Sequence, residues 1–196
     1  MTTKQTDRVL IRKFGEDGIQ LFDEIEAQLK ELVIEAAEVP YRGANALEFK
    51  TKCASHAVNF AGQCSRIMQA ISAVVTENTT YIAQALGGEA ITLEPPAIAV
   101  EMPSIDADTS VEMAESAPLV TLRGSVQSRC DAVEAAFNEN MSNLQALGNE
   151  GWIGPEYDET LGEVSRLTTS IVEEVHQTRS VMMTDISQQL QALGME

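Results

Sequence analysis

The sequence predicts an all-α protein in which two helix-turn-helix hairpins form a four-helix bundle. Apolar residues make up 44% of the chain but aromatic residues only 5%, which suits packed helices better than a sheet. Four long segments repeat apolar residues at steps of three and four, the spacing of one helix face. Between the paired segments lie two aromatic-x-Gly corners: Tyr41, Arg42 and Gly43, then Trp152, Ile153 and Gly154.

The first helical segment is predicted to run from about Glu16 to Ala37. Its apolar positions form one stripe, made of Ile19, Phe22, Ile25, Leu29, Leu32, Val33 and Ala36. Such a stripe marks a helix with one buried face. Pro40 then prevents continuation, because its ring clashes with the preceding turn and it has no N–H to donate.

The second helical segment is predicted from about Ala44 to Leu86. Apolar residues recur every seven positions, at Leu47, Ala54, Ala61, Met68, Val75 and Ile82. A heptad pattern of this length indicates a long helix in a bundle or coiled coil. Gly87 and Gly88 follow, and glycines are common just past a helix terminus.

Residues 89–117 have the composition of a linker. They contain Pro95, Pro96 and Pro103 and several acidic residues, but no Lys or Arg. Such a segment is expected to be extended and without periodicity. Stretched out, it reaches about 100 Å. A helix of about 28 residues is only about 42 Å long. The linker is therefore long enough to place the second hairpin antiparallel to the first.

The third and fourth helical segments form the second hairpin. The third runs from Pro118 to about Leu147, and Gly148 and Gly151 are expected to break it. The fourth begins at Pro155, a residue suited to the first turn of a helix, and ends at Gly194. The apolar positions of the two segments are Leu119, Leu122, Val126, Val133, Phe137, Met141 and Leu144, then Leu161, Val164, Ile171, Val175, Met182, Ile186 and Leu190.

The two halves overlay when one is shifted by 111 positions. The shift places Tyr41 on Trp152 and Gly43 on Gly154, and the apolar register holds on both sides of the corner. This pattern indicates a divergent duplication. The predicted organisation is a first hairpin at 1–88, the linker at 89–117 and a second hairpin at 118–196, with both hairpins in one bundle.

The net charge of −17, from 13 basic and 30 acidic residues, argues against two classes of partner. Nucleic-acid backbones and anionic membranes would be repelled by most of this surface. The acidity is interpreted as a solvated face that maintains solubility. The alternative left open is a complementary basic partner.

No enzyme chemistry or cofactor site is predicted. Three cysteines, Cys53, Cys64 and Cys130, form no disulfide framework and no C-x-x-C pair, and we interpret them as buried core residues rather than redox groups. Glu173 and His176 have the spacing of half a di-iron motif, but no second pair exists. The sequence also lacks phosphate-binding and nucleophile-elbow motifs. We therefore predict no catalytic or metal-binding residue.

The chain start is polar and has no secretory signal peptide, and no segment reaches 18 consecutive apolar residues, so no membrane span is expected. We expect synthesis in the cytoplasm. Any export would then use a route without a cleaved signal.

A helical hairpin with a W-x-G turn resembles the WXG-type (Esx-like) substrates of type VII secretion systems. The second half matches through Trp152, Ile153 and Gly154; the first matches with tyrosine in place of tryptophan. The resemblance covers nearly the whole chain outside the linker. It implies that the hairpins pair within one chain. It also implies that each corner, with a tail motif on its partner hairpin, is recognised by the secretion ATPase.

The tail motif is where this sequence departs from the family. The resemblance requires a tyrosine followed four residues later by Asp or Glu. Tyr81 lies near the end of the second helix, but Ala85 occupies the acidic position. Neither Tyr41 nor Tyr157 satisfies the pattern either. Three explanations stay open: a partner carries the signal, the signal is a variant, or the chain is not secreted.

The leading hypothesis is a non-enzymatic, tandem WXG-like protein linked to type VII secretion, either as a secreted substrate or as a partner that escorts one. Its partners would be the secretion ATPase or another WXG-type protein, and a homo-oligomer is a further option. The corner aromatics are expected to cover the end of the core and remain partly exposed for a partner. The alternative is a cytosolic four-helix structural or adaptor module that is not exported.

Overall fold

A computed structural model describes residues 4–42, 45–87, 90–91, 93–95, 98, 100–105 and 115–195. Four helices pack against each other as an all-α four-helix bundle, which confirms the predicted fold class. The elements in chain order are β1 (Gln5–Thr6), α1 (Arg8–Glu38), α2 (Ala46–Leu86), α3 (Ala117–Glu150), β2 (Trp152–Ile153) and α4 (Pro155–Ala192). Gly43, Ala44, Gly88 and much of the linker lie outside the described residues.

The chain forms two compact units, and each unit takes one segment from every helix. Unit 1 contains β1, β2 and residues 8–25, 64–86, 134–150 and 155–172 of the four helices. Unit 2 contains residues 26–38, 46–63, 117–133 and 173–192. The Trp-Ile-Gly corner (residues 152–154) therefore belongs to unit 1, together with the start of α1 and the end of α2. Tyr41 and Arg42 of the Tyr-Arg-Gly corner lie between α1 and α2 in unit 2.

The cores of both units are built from the apolar positions that the helical periodicity predicts. Fully buried side chains in unit 1 include Phe22, Met68, Ile71, Val75, Phe137, Leu144, Val164 and Ile171. Those in unit 2 include Leu29, Val33, Ala54, Ala57, Val126, Val175, Met182 and Ile186. The three cysteines are also fully buried, as expected. Leu47 is an exception, because it is 42% exposed while Ala46 and Phe49 are buried.

Helix α1 begins at Arg8, about two turns before the predicted start at Glu16. Asp7 caps the helix, because its Oδ1 accepts hydrogen bonds from the backbone N–H groups of Val9 at 2.8 Å and Leu10 at 3.1 Å. Capping by Asp satisfies donors that have no partner within the helix. Val9 and Leu10 are exposed, whereas Ile11 and Phe14 are buried, so the buried face of α1 begins before the predicted start.

Helix α3 continues through Gly148 to Glu150, so the expectation that Gly148 breaks it is wrong. The glycine is needed for packing. A Cβ at this position would lie 2.2 Å from Cζ of Tyr157, far inside van der Waals contact. The Tyr157 hydroxyl donates to the carbonyl of Leu144 at 3.3 Å. The absent side chain thus lets the start of α4 pack closely on the end of α3.

The first part of the predicted linker packs against unit 1. Leu93 is buried, and its carbonyl accepts a hydrogen bond from the hydroxyl of Ser72 on α2. Ile91 and Leu93 lie over Gly15 and Gly18 of α1, where added Cβ atoms would be 2.8 Å and 3.1 Å away. These residues of the predicted linker therefore pack on the helices of unit 1, a contact that the linker composition does not predict.

Several pairs of residues that overlay after the 111-position shift share their exposure. Val9 and Val120 are both exposed, at 76% and 47%. Buried residues overlay on buried residues in the pairs Ile11 with Leu122, Phe22 with Val133, Val33 with Leu144, Tyr41 with Trp152 and Ile71 with Met182. Matched exposure favours the interpretation of the chain as two copies of one hairpin.

Candidate recognition surface at the Trp-Ile-Gly corner

The glycine of the Trp-Ile-Gly corner is required by the backbone. Gly154 has a φ of 144°, a conformation that side chains disfavour. Its carbonyl accepts hydrogen bonds from the N–H groups of Tyr157 at 3.1 Å and Asp158 at 3.2 Å. Pro155 follows at the first position of α4, where its fixed φ suits the helix. The corner therefore both turns the chain and starts α4.

Trp152 is fully buried, with no exposed surface. Its ring meets the ring of Tyr157 edge-on, with centroids 5.8 Å apart. The expectation that this aromatic remains partly exposed is wrong, because the indole lies inside the core of unit 1. The neighbouring Ile153 is 38% exposed. At this corner Ile153, not Trp152, is the side chain exposed to solvent.

A short strand that the sequence does not reveal pairs with the corner. Strand β1 runs antiparallel to β2, with Gln5 opposite Ile153 and Thr6 opposite Trp152. The N–H of Asp7 also donates to the carbonyl of Gly151 at 2.6 Å. Two residues are too few to show the alternation that identifies a strand. No signal in the sequence marks this contact.

Lys4 connects the corner to the first hairpin. Its ammonium group donates to Oε1 of Glu156, the second residue of α4. The same nitrogen lies 4.9 Å from the centroid of the Tyr81 ring on α2, within the range of a cation–π contact. The hydrogen bond from Lys4 lowers the pKa of Glu156, and the hydrogen bond to Glu156 raises the pKa of Lys4.

Tyr81 is the aromatic exposed beside this corner, at 54%. Ala85, one turn further along α2, is also exposed. Between the two helices, the side-chain amide of Asn78 donates to the hydroxyl of Thr160 at 2.9 Å. Unit 1 thus brings together Tyr81 of the first hairpin and the Trp-Ile-Gly corner of the second. The carboxylate that the family pattern would add at position 85 is absent.

The Tyr-Arg-Gly corner is built differently. Tyr41 is buried, meets the ring of Phe49 edge-on at 5.7 Å and donates its hydroxyl hydrogen to Oε1 of Gln189 at 3.2 Å. Burial raises the pKa of its phenol. Arg42 is exposed, and Gly43 lies outside the described residues. After the 111-position shift Tyr81 meets Ala192, so unit 2 has no equivalent exposed tyrosine.

A polar cluster in unit 2 joins α2 to α4. Lys52 donates to Oδ1 of the buried Asp185 at 2.6 Å, and Nε2 of His56 lies 3.4 Å from its Oδ2. Burial raises the pKa of the neighbouring Cys53 thiol to about 12, so this thiol is protonated at neutral pH and a poor nucleophile. Within the described ranges, no group of three His, Cys, Asp or Glu side chains could hold a metal ion.

No protein-family model, curated protein or solved structure matches this chain. Among the helices in the described part of the chain, none is long and apolar enough to cross a membrane.

Proposed function

We propose that this chain is a non-enzymatic, tandem WXG-like protein of a type VII secretion system, which acts through protein–protein contacts as a secreted substrate or as the escort of one. One observation carries the proposal. Lys4 contacts both Tyr81 on the first hairpin and Glu156 beside the Trp-Ile-Gly corner on the second. Lys4 therefore links Tyr81 of the first hairpin with the corner of the second, and this link supports the composite recognition surface that the resemblance implies.

The exposure of this surface supports a role in binding. Tyr81 and Ile153 present apolar area to solvent at 54% and 38%, and aromatic side chains often anchor protein interfaces. The buried Trp152 stabilises this surface, because its packing on Tyr157 holds the corner in place. In this proposal the exposed contacts bind the partner, and the buried tryptophan positions them.

Ala85 bears on the choice between substrate and escort. The family signal has a carboxylate four residues after the tyrosine, and a secretion ATPase would bind it there. In this chain that position is Ala85, whose side chain is a methyl group. We infer that the chain is recognised together with another WXG-type protein that supplies the acid. In that arrangement one export event carries both chains, and this chain is the substrate or the escort according to which one acts outside.

The proposal is tested by locating the chain in a host that carries a type VII system. Mass spectrometry of culture supernatant should find it with an intact N-terminus in the parent strain. It should be missing from the supernatant of a strain without the secretion ATPase. Retention in the cytosol, while a known substrate of the same system is exported, would contradict the proposal.

A second candidate is a cytosolic adaptor module that shares the hairpin architecture. Complete burial of Trp152 is the observation behind it, because the indole is then a core side chain that a secretion ATPase would not contact directly. The two candidates differ in the supernatant experiment. The adaptor stays in the cytosol in both strains and is recovered there with a cytosolic protein.

A further inference from the structure

Residues 4–7, which we call the N-terminal arm, lie along one backbone edge of β2. We propose that this arm is a displaceable cover, and that the edge beneath it binds an extended, lysine-containing segment of a partner protein in the arm's place. The inference rests on the proposed function in one respect, since it describes how a partner meets the same corner.

The arm is held by a small contact area. Each strand contributes two residues, and a two-residue pairing is marginal without further support. The support comes from the N–H of Asp7 on the carbonyl of Gly151 and from Lys4 on Glu156 and Tyr81. These contacts are near the surface, since the side chain of Lys4 is 29% exposed. Local opening is expected where few apolar contacts are buried.

The edge under the arm has the chemistry to bind an extended segment. A strand edge recognises a peptide through main-chain hydrogen bonds and through pockets for alternate side chains. The arm already demonstrates the register, since Gln5 and Thr6 pair with Ile153 and Trp152. A partner segment in the same register would form the same main-chain bonds.

The carboxylate of Glu156 at this edge favours a basic residue in the partner segment. Oε2 of Glu156 is buried and has no hydrogen-bond partner within the described part of the chain, so this carboxylate can accept a second donor. The ring of Tyr81 offers a face to the same cation. The chain as a whole carries a charge of −17, which favours the approach of a basic partner over an acidic one.

The arm and the partner segment compete for one edge. A short tether gives the arm an effective concentration of about millimolar, so a free peptide must match that concentration to displace it. A partner gains the edge more easily when further contacts, such as those at Tyr81 and Ile153, add to its affinity. The corner is thereby closed in the isolated chain and opened by the correct partner.

The test uses the full-length protein and a synthetic peptide with the sequence of residues 1–8. Trp152 is the only tryptophan, so its indole N–H gives one assignable NMR signal at the corner. In the Lys4→Glu variant the arm faces Glu156 with a like charge and releases the edge. The peptide should then shift the Trp152 and Ile153 signals at a concentration lower by a factor of about two or more.

Lys13→Glu is the matched control. It makes the same change in net charge and removes an ion pair with Asp17 on α1, outside the arm. This variant should bind the peptide as the wild type does. A peptide with its lysine replaced by glutamate should bind the Lys4→Glu protein more weakly than the original peptide.

A reversible cross-link between the arm and β2 tests whether the arm must leave before the peptide binds. Gln5 and Ile153 are direct partners in the β1–β2 pairing, a position where a disulfide can be formed. The oxidised Gln5→Cys, Ile153→Cys protein should not bind the peptide, and reduction should restore binding. Equal binding by the wild type and Lys4→Glu, absence of binding in Lys4→Glu, or equal binding before and after reduction would overturn the displaceable arm. The export proposal would then still depend on the supernatant experiment alone.

Discussion

Gly148 shows how a single missing side chain positions the corner. A Cβ there would overlap the Tyr157 ring at 2.2 Å, so Gly148→Ala should lower the free energy of unfolding by about 1–3 kcal/mol. Gly124 lies in the same helix with open space around it, and Gly124→Ala should raise stability by about 0.5–1 kcal/mol. Urea unfolding of both variants measures the difference. Changes of equal sign would contradict the close approach of α4 to α3.

Trp152 is the second prediction at the residue scale. Because its indole is fully buried against Tyr157, Trp152→Ala should lower the free energy of unfolding by about 3–5 kcal/mol. The helix content at room temperature should change little. Ile153→Ala removes a neighbouring side chain that is partly exposed and should cost much less. Thermal unfolding followed by circular dichroism separates the two, and equal losses would show that the indole is not part of the core.

At the scale of elements, the β1–β2 pairing should depend on pH through the Lys4–Glu156 ion pair. Lys4 lowers the pKa of Glu156 from 4.5, so this stabilisation is present above about pH 4.5 and is lost as pH falls through the lowered pKa. The pKa of Lys4 is raised above 10.5. The stabilisation from the pair is therefore complete below pH 10.5 and is lost as pH rises through the raised pKa. The indole signal of Trp152 should therefore change on acidification below pH 4.5.

Lys4→Met provides the control for that titration. The variant keeps much of the side-chain length but has no charge. Protonation of Glu156 therefore breaks no ion pair with residue 4. Its indole signal should lack the part of the acid transition that depends on Lys4. Identical pH profiles for the variant and the wild type would show that the ion pair does not hold the arm.

The docked part of the linker is a second element with a measurable contribution. Leu93 is buried beside Gly18 and accepts a hydrogen bond from Ser72, so Leu93→Ala should lower the free energy of unfolding by about 2–5 kcal/mol. Met102 lies in the same linker but is 42% exposed, and Met102→Ala should stay within about 0.5 kcal/mol of the wild type. Chemical denaturation distinguishes them. Equal effects would mean that the linker does not dock.

Elements with a long buried stripe could be predicted from the sequence, and elements fixed by distant contacts could not. Each of the four helices buries apolar residues every three or four positions, which leaves a periodic pattern. Strand β1 has only two residues and depends on a partner about 150 positions away. Gly15 and Gly18 look like ordinary helix residues until Ile91 and Leu93 are seen to lie over them. Contacts of this kind leave no periodicity.

For the whole molecule, the two corners predicted the architecture better than they predicted the recognition surface. The aromatic-x-Gly pattern predicts two hairpins in one four-helix bundle, and the structure confirms the all-α four-helix bundle. The same pattern suggested an exposed aromatic, whereas both Trp152 and Tyr41 are buried. Sequence alone also gave no reason to include Lys4, because its contacts to Glu156 and Tyr81 exist only after the hairpins pair.

In the proposed function, Tyr81 and the Trp-Ile-Gly corner form the surface that the secretion system recognises. The most direct measurement compares the amounts of Tyr81→Ala, Leu47→Ala and wild-type protein in the culture supernatant of a host with a type VII system. Leu47 is a comparably exposed apolar residue of the same helix in unit 2. We predict that Tyr81→Ala folds normally but is lost from the supernatant, while Leu47→Ala is exported like the wild type. Export of Tyr81→Ala at the wild-type level would contradict the claim.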